Sequence, residues 1–213
     1  MSELREFFDE RKGEVEQFFI FLEQIETDAN YNSNIIILKS QAILMLYNLI
    51  EGTVNKGIEY IFDTIGDEAL KHNQISSEIR VMWLRYFKLH LDDNGQNIET
   101  LQNIEKLLND IVEINISQFR KNNSSYFSSG TLDSVSIKKI LKKFSIECTF
   151  FEYQLKFIKE DRNFLAHGEK SFTEVSQNKT LPSLIEDKNK VIAFLDKYVE
   201  VIEAYINNEK YKI

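Results

Sequence analysis

Apolar residues recur at helical spacing over most of the chain, in segments separated by short polar stretches. After Ser2, a good capping residue, Leu4, Phe7, Phe8, Val15, Phe18, Phe19, Leu22 and Ile25 share one face of a helix predicted to end at about residue 26. Capping and turn residues at 30–33 precede a second helix over about 34–65. Its apolar positions, among them Ile35, Ile36, Leu38, Ala42, Ile43, Leu46, Leu49, Ile50, Val54, Ile58, Ile61 and Phe62, are too many for one face. Such a helix is contacted on several sides and is expected at the centre of a bundle. Glu51 interrupts it directly after its most apolar part, LMLYNLIEG, where a buried carboxylate needs a partner such as an arginine.

The same periodicity predicts a third helix over about 77–91, closed by the turn residues 92–95, and a fourth over about 98–116. Residues 118–133, QFRKNNSSYFSSGTLD, read as a long loop. Asp133 or Ser134 can cap a short helix to about residue 144. Thr149 with Glu152 has the spacing of a capping box that opens the next helix, and residues 171–180 read as polar and loop-like. Ser183 with Glu186 forms a second capping box for a last helix to about residue 208, which leaves Pro182 in the connection. The expected architecture is all-α, a single domain over 1–213 with a helical insertion at about 66–117.

Composition agrees with a helical chain, since 213 residues include only one proline and seven glycines. The run 35–50 is broken by Lys39, Ser40, Gln41 and Asn48 and is too short to span a bilayer, so no membrane association is expected. A single cysteine, Cys148, and no recognisable leader point to a reducing cytoplasmic setting. His72 and His90 have no metal-ligand spacing with each other or with Cys148, so no metal or other cofactor is expected. A net charge of −8 argues against coating nucleic acid by broad electrostatic attraction. It leaves room for a local basic site, and Lys138, Lys139, Lys142 and Lys143 concentrate positive charge on one predicted helix, followed by Lys156 and Lys159 on the next.

The densest chemistry lies in 162–168, RNFLAHG, near the end of a predicted helix. At about 3.6 residues per turn, Asn163 and His167 are an i, i+4 pair and Arg162 sits on the same turn as Asn163. Gly168 is placed to end the helix in a left-handed conformation and leave the His167 ring accessible. Arginine offers a planar fork to two phosphate oxygens, and histidine is the side chain best suited to move protons near neutral pH. Motifs for a serine-hydrolase elbow, a phosphate-binding glycine loop or a zinc cluster do not occur.

R-N-x3-H near a helix end in an all-α chain of this size resembles the HEPN superfamily, the higher eukaryotes and prokaryotes nucleotide-binding domains, and within it a bacterial branch of defence and toxin–antitoxin loci. The likeness extends to SQAILMLYNLIEGTV as the early core helix, SGTLDSVSIKKILKKFSI as the segment before the active-site helix, and DRNFLAHGEKSFTEV as the active-site block. Ser145 stands where a glycine is expected, a departure that bears on a turn. The resemblance implies a metal-independent endoribonuclease, a toxin or anti-phage effector, that cleaves RNA by attack of the 2′-hydroxyl. It implies Arg162 and His167 as catalytic residues assisted by Asn163, with Glu51 orienting the arginine. The RNA contacts expected beside them, Lys138, Lys139, Lys142 and Lys143, come from the charge pattern and not from the resemblance. The site would be a composite formed by a homodimer. The alternatives are a non-catalytic RNA- or nucleotide-binding module, or an antitoxin-like subunit that holds a cognate partner from a neighbouring gene.

Overall fold

The computed structural model describes residues 1–31, 34–88, 105, 108–112, 114, 119, 127, 132–148 and 155–213. Among them are seven α-helices: α1 (Glu3–Ile25), α2 (Ile35–Asp67), α3 (Ser77–Lys88), α4 (Ser134–Lys143), α5 (Lys156–Ala166), α6 (Phe172–Ser176) and α7 (Leu181–Asn207). No β-strand occurs among the described residues; Lys71 with Ile111 and Ile75 with Lys212 form isolated antiparallel bridges. The protein is all-α, as the periodicity predicts. The chain divides into two compact units. One comprises Met1–Lys56, Thr131–Ile137 and Thr149–Glu200, the other Gly57–Gly130, Lys138–Cys148 and Val201–Ile213.

In the first unit, Ser2 caps α1 by accepting the Arg5 N–H at 3.1 Å. The predicted stripe of α1 is buried at Leu4, Phe8, Val15, Phe19, Leu22 and Ile25. Gly52 of α2 faces the Phe7 ring of α1, which a Cβ there would meet at 3.4 Å, an ordinary van der Waals distance. Arg5 pairs with Asp196 of α7 at 2.8 Å, and the buried Tyr198 hydroxyl donates to the Val54 carbonyl at 3.0 Å. These contacts hold α1, α2 and α7 together over a core to which α2 contributes Ala42, Ile43, Leu46, Tyr47, Leu49, Ile50 and Val54. The stretch 35–50 alone is short for a bilayer, but α2 as a whole is long and apolar enough to cross one by length and composition. Between 42 and 65 most of its apolar positions are buried in protein, as in a core helix, whereas Ile37 near its start is exposed.

Two expectations at this end need correction. Residues 171–180 are not a continuous loop: Ser171 and Glu174 form a capping box, with the Ser171 hydroxyl accepting the Glu174 N–H at 3.2 Å, and they nucleate α6. The helix buries Val175 and Ser176, and Ser176 shares a hydroxyl–hydroxyl hydrogen bond with the buried Ser40 of α2. The last helix starts at Leu181, earlier than Ser183, and Pro182 lies inside its first turn. Proline is tolerated there because the N–H it lacks would have no helical partner. The cap is Thr180, whose hydroxyl accepts the Ser183 N–H at 3.3 Å.

The second unit is built on aromatic rings. Phe62 packs edge-on to Phe127 with centroids 6.0 Å apart and lies 5.7 Å from Phe144, while Phe144 meets Tyr205 at 6.2 Å. Each such pair is worth about 0.5–1.5 kcal/mol beyond the area it buries. Phe119 and Phe127 are buried and helical in backbone, so the predicted loop over 118–133 contains helical positions; the rest of 118–131 lies outside the described residues. The helix predicted over 98–116 does not continue through 111–112. Ile111 bridges Lys71, and the Val112 N–H donates to the Leu70 carbonyl at 2.7 Å, which takes these β-branched residues out of helical pairing. Residues 98–104 of that helix, and His90, lie outside the described residues. Ser145 has φ +53°, the left-handed conformation in which glycine is favoured, and its hydroxyl donates to Glu78 at 2.9 Å.

Candidate functional site

Helix α5 carries Arg162 and Asn163 and is capped by His167. Its described start is Lys156, after an N-cap Leu155 that has no side chain able to cap; Thr149 and Glu152, the expected capping box, lie outside the described residues. The helix is held instead by ion pairs from three of its polar positions. Lys159 donates to Asp133 at 2.8 Å, Asp161 meets Lys179 at 2.7 Å, and Arg162 lies 4.0 Å from Glu51. Asp133 also caps α4, accepting the Ser136 N–H at 2.8 Å while the Ser136 hydroxyl accepts the Asp133 N–H at 2.8 Å. Segment 132–133 is thereby fixed to α5 on one side and, through Tyr47, to α2 on the other.

Tyr47 is the residue that sequence reasoning missed. It is 0% exposed, its hydroxyl accepts the Leu132 N–H at 2.9 Å, and its ring lies under Arg162, with the guanidinium carbon 4.5 Å from the ring centroid. Burial pushes the phenol above its ordinary value, so it stays protonated and neutral at physiological pH. The signal was present in LMLYNLIEG, because Tyr47 and Glu51 are an i, i+4 pair and present one face of α2 to Arg162.

Magnitudes decide what the Glu51 contact does. At 4.0 Å it is an ion pair without a hydrogen bond, and the two side chains are 24% and 33% exposed. Such pairs contribute about 0–1 kcal/mol, so Glu51 aims the guanidinium more than it stabilises the fold. Arg162 also donates to the Asn163 side-chain amide oxygen, Oδ1, at 3.4 Å, a long hydrogen bond. The guanidinium is therefore cradled by a ring beneath it, a carboxylate and an amide, with most of its N–H donors uncommitted among the described residues.

At the other end of α5 the chain makes the glycine turn expected from RNFLAHG. Gly168 has φ +67°, its N–H donates to Leu165 at 3.3 Å, and the Glu169 N–H donates to Phe164 at 3.0 Å. This is a Schellman closure with His167 as the C-cap. The His167 ring is exposed and makes no hydrogen bond or ion pair among the described residues. The structure thus brings Arg162, Asn163 and Glu51 together; His167 is set beyond them at the helix end, outside their bonded cluster.

The lysines divide. Lys138, Lys139 and Lys142 are exposed, whereas Lys143 is half-buried with its ammonium 5.6 Å from the Phe127 ring. Burial, and then Arg85, lower its pKa. All four belong to the second unit and Arg162 to the first. Lys156 pairs with Glu160 at 3.5 Å, and Lys159 is committed to Asp133.

A family model described as HEPN_MAE_28990-like HEPN matches residues 1–211. The chain belongs to this HEPN family. No curated protein and no solved structure matches it. The HEPN superfamily is one of nucleotide-binding and ribonuclease-type domains, and the match spans both units and so includes Glu51, Asp133 and the whole of α5.

In this HEPN domain the Asp133 bridge sets an acid limit on stability. Burial would raise the Asp133 carboxyl, but the Lys159 and Ser136 hydrogen bonds outweigh it and hold it at about 2, against 3.8 for a free side chain. A depressed carboxyl stabilises the fold above its unfolded value and loses that contribution as pH falls from 3.8 towards 2. At about 1.4 kcal/mol per pH unit the contribution is about 2 kcal/mol. Urea denaturation of wild type and Asp133→Asn should differ by that amount at pH 7, and the gap should close as pH falls through this window. A gap that does not change with pH would remove the carboxylate as its cause.

Proposed function

We propose that this HEPN domain is a metal-independent endoribonuclease, active as a homodimer whose two α5 helices form one composite site, and that it serves as a toxin or anti-phage defence effector. The observation that carries the reading is the presentation of Arg162: a guanidinium braced by Tyr47 and Glu51, with N–H donors to spare, on the helix that ends at the exposed His167. RNA cleavage of this kind needs a base to take the 2′-hydroxyl proton, an acid to protonate the leaving 5′-oxygen, and positive charge on the phosphate between them. As the 2′-oxygen bonds to phosphorus the P–O5′ bond breaks, leaving a 2′,3′-cyclic phosphate and a free 5′-hydroxyl. His167 supplies one proton-transfer group and its dimer mate the other. Arg162 holds the phosphate oxygens, Asn163 assists it, and Glu51 keeps its fork aimed. Lys138, Lys139 and Lys142 supply phosphate contacts in a chain of net charge −8.

Purified protein incubated with single-stranded RNA should yield 5′-hydroxyl and 2′,3′-cyclic phosphate ends, at a rate unchanged by EDTA. Expression in a bacterium should arrest growth, and His167→Ala should relieve the arrest. Cleavage abolished by EDTA, or 5′-phosphate ends, would overturn the mechanism. The acidic net charge favours a second reading, a non-catalytic RNA- or nucleotide-binding or antitoxin-like subunit, which predicts binding of RNA, nucleotide or a neighbouring gene product with the RNA left intact.

A further inference from the structure

The Schellman turn after α5 does more than end the helix. The Glu169 and Lys170 N–H groups both donate to the Phe164 carbonyl, at 3.0 and 3.4 Å, so the chain folds back over the last turn. The Lys170 ammonium consequently lies 3.8 Å from the centroid of the half-buried Phe164 ring. Phe164 and His167 are an i, i+3 pair, with Cβ atoms about 5–6 Å apart on a helix surface. An aromatic ring, an imidazole and an ammonium are thus grouped at one end of α5, and Lys170 and His167 are exposed there.

We infer that Phe164 and Lys170 form a nucleobase and phosphate subsite beside His167, in which the base of a nucleotide flanking the cut stacks on Phe164 while Lys170 moves from the ring to a neighbouring phosphate. The inference rests on the ribonuclease reading and adds to it where the flanking nucleotide goes. An exposed ammonium over a ring is a weak contact, weaker than base stacking on an aromatic side chain. An incoming base therefore displaces Lys170 at little cost, and the flexible lysine finds a stronger partner in a phosphate than in the ring. Every base has a π-face, so the subsite favours single-stranded RNA without demanding one base. A duplex, whose bases are already stacked, cannot offer one.

The test uses the full chain carrying His167→Ala, so that RNA is bound and not cut. Fluorescence anisotropy compares a labelled single-stranded oligoribonucleotide with the same oligomer containing abasic residues. The parent is expected to prefer the base-bearing oligomer by roughly tenfold or more, and Phe164→Leu to reduce that preference to within about twofold. Phe164→Tyr should retain it. Lys170→Gln, at an exposed position that leaves the fold intact, should keep the base preference and reduce the slope of log affinity against log salt by about one phosphate contact. If the parent binds RNA and wild type cleaves it, yet Phe164→Leu keeps the full preference or Lys170→Gln keeps the full salt slope, the subsite is wrong and the ribonuclease reading stands. If RNA is neither bound nor cleaved, both fall.

Discussion

His167→Ala, which removes both proton-transfer groups of the composite site, is expected to lower RNA cleavage by at least roughly 10²- to 10⁴-fold, the range that one such group supplies, while changing stability by no more than about 0.5 kcal/mol. The two halves of this expectation have separate causes. On the proposed mechanism activity falls because the exposed imidazole is the proton-transfer group carried at the end of the helix that holds Arg162. Stability holds because the helix is closed by backbone: the His167 N–H donates to Asn163 at 3.0 Å and the turn is completed at Gly168, neither of which needs the ring. Arg162→Ala should abolish cleavage to a similar extent and also cost about 1 kcal/mol, since it uncovers Tyr47 and leaves Glu51 without its cation. Arg162→Lys should rescue little, because an ammonium does not reproduce the planar fork. Mixing wild type with excess His167→Ala tests the composite site. Each heterodimer keeps both arginines but only one of the two histidines, so the inactive chain should suppress wild-type cleavage beyond simple dilution. Activity that follows the amount of wild-type chain alone counts against sites shared between copies.

What the amino-acid order revealed follows from how local the interactions are. The α1 stripe, the apolar length of α2, the Asp133 cap and the turn at Gly168 are set by residues within a few positions of one another, and each was legible. Glu51 was legible as a carboxylate in need of an arginine because it interrupts an apolar run. Errors arose where two local signals competed. Thr180 and Ser183 both offer a cap three residues before a suitable partner, and Pro182 reads as a breaker until it is seen to occupy a first turn. The end of the helix predicted over 98–116 depended on a partner distant in sequence, since Leu70 supplies the carbonyl that holds Val112 out of helix. The cradle of Arg162 is non-local in the same way. It joins position 47, positions 132–133 and position 162, and only its 47–51 edge has a spacing that a single helix records.

Tyr47→Ala is expected to destabilise the protein by roughly 3–5 kcal/mol, the range for emptying a buried aromatic position, which is a large share of the roughly 5–15 kcal/mol by which a domain is stable. The ring is fully buried, so the loss combines transfer of its surface with a cavity. Tyr47→Phe separates the hydroxyl from the ring. It leaves the buried Leu132 N–H without its acceptor, at about 1–3 kcal/mol, yet keeps an aromatic face under Arg162. If the ring positions the guanidinium, Tyr47→Phe should retain the cleavage rate of the folded protein, and Tyr47→Leu, which fills much of the space without a π-face, should lower kcat several-fold. Urea denaturation gives the stabilities, and single-turnover cleavage at saturating enzyme gives the rates of the folded fraction. Equal rates for Tyr47→Phe and Tyr47→Leu would reduce Tyr47 to a packing residue. A lower rate for Tyr47→Leu alone ties the order of Arg162, and so the chemistry at the end of α5, to a ring on the central helix.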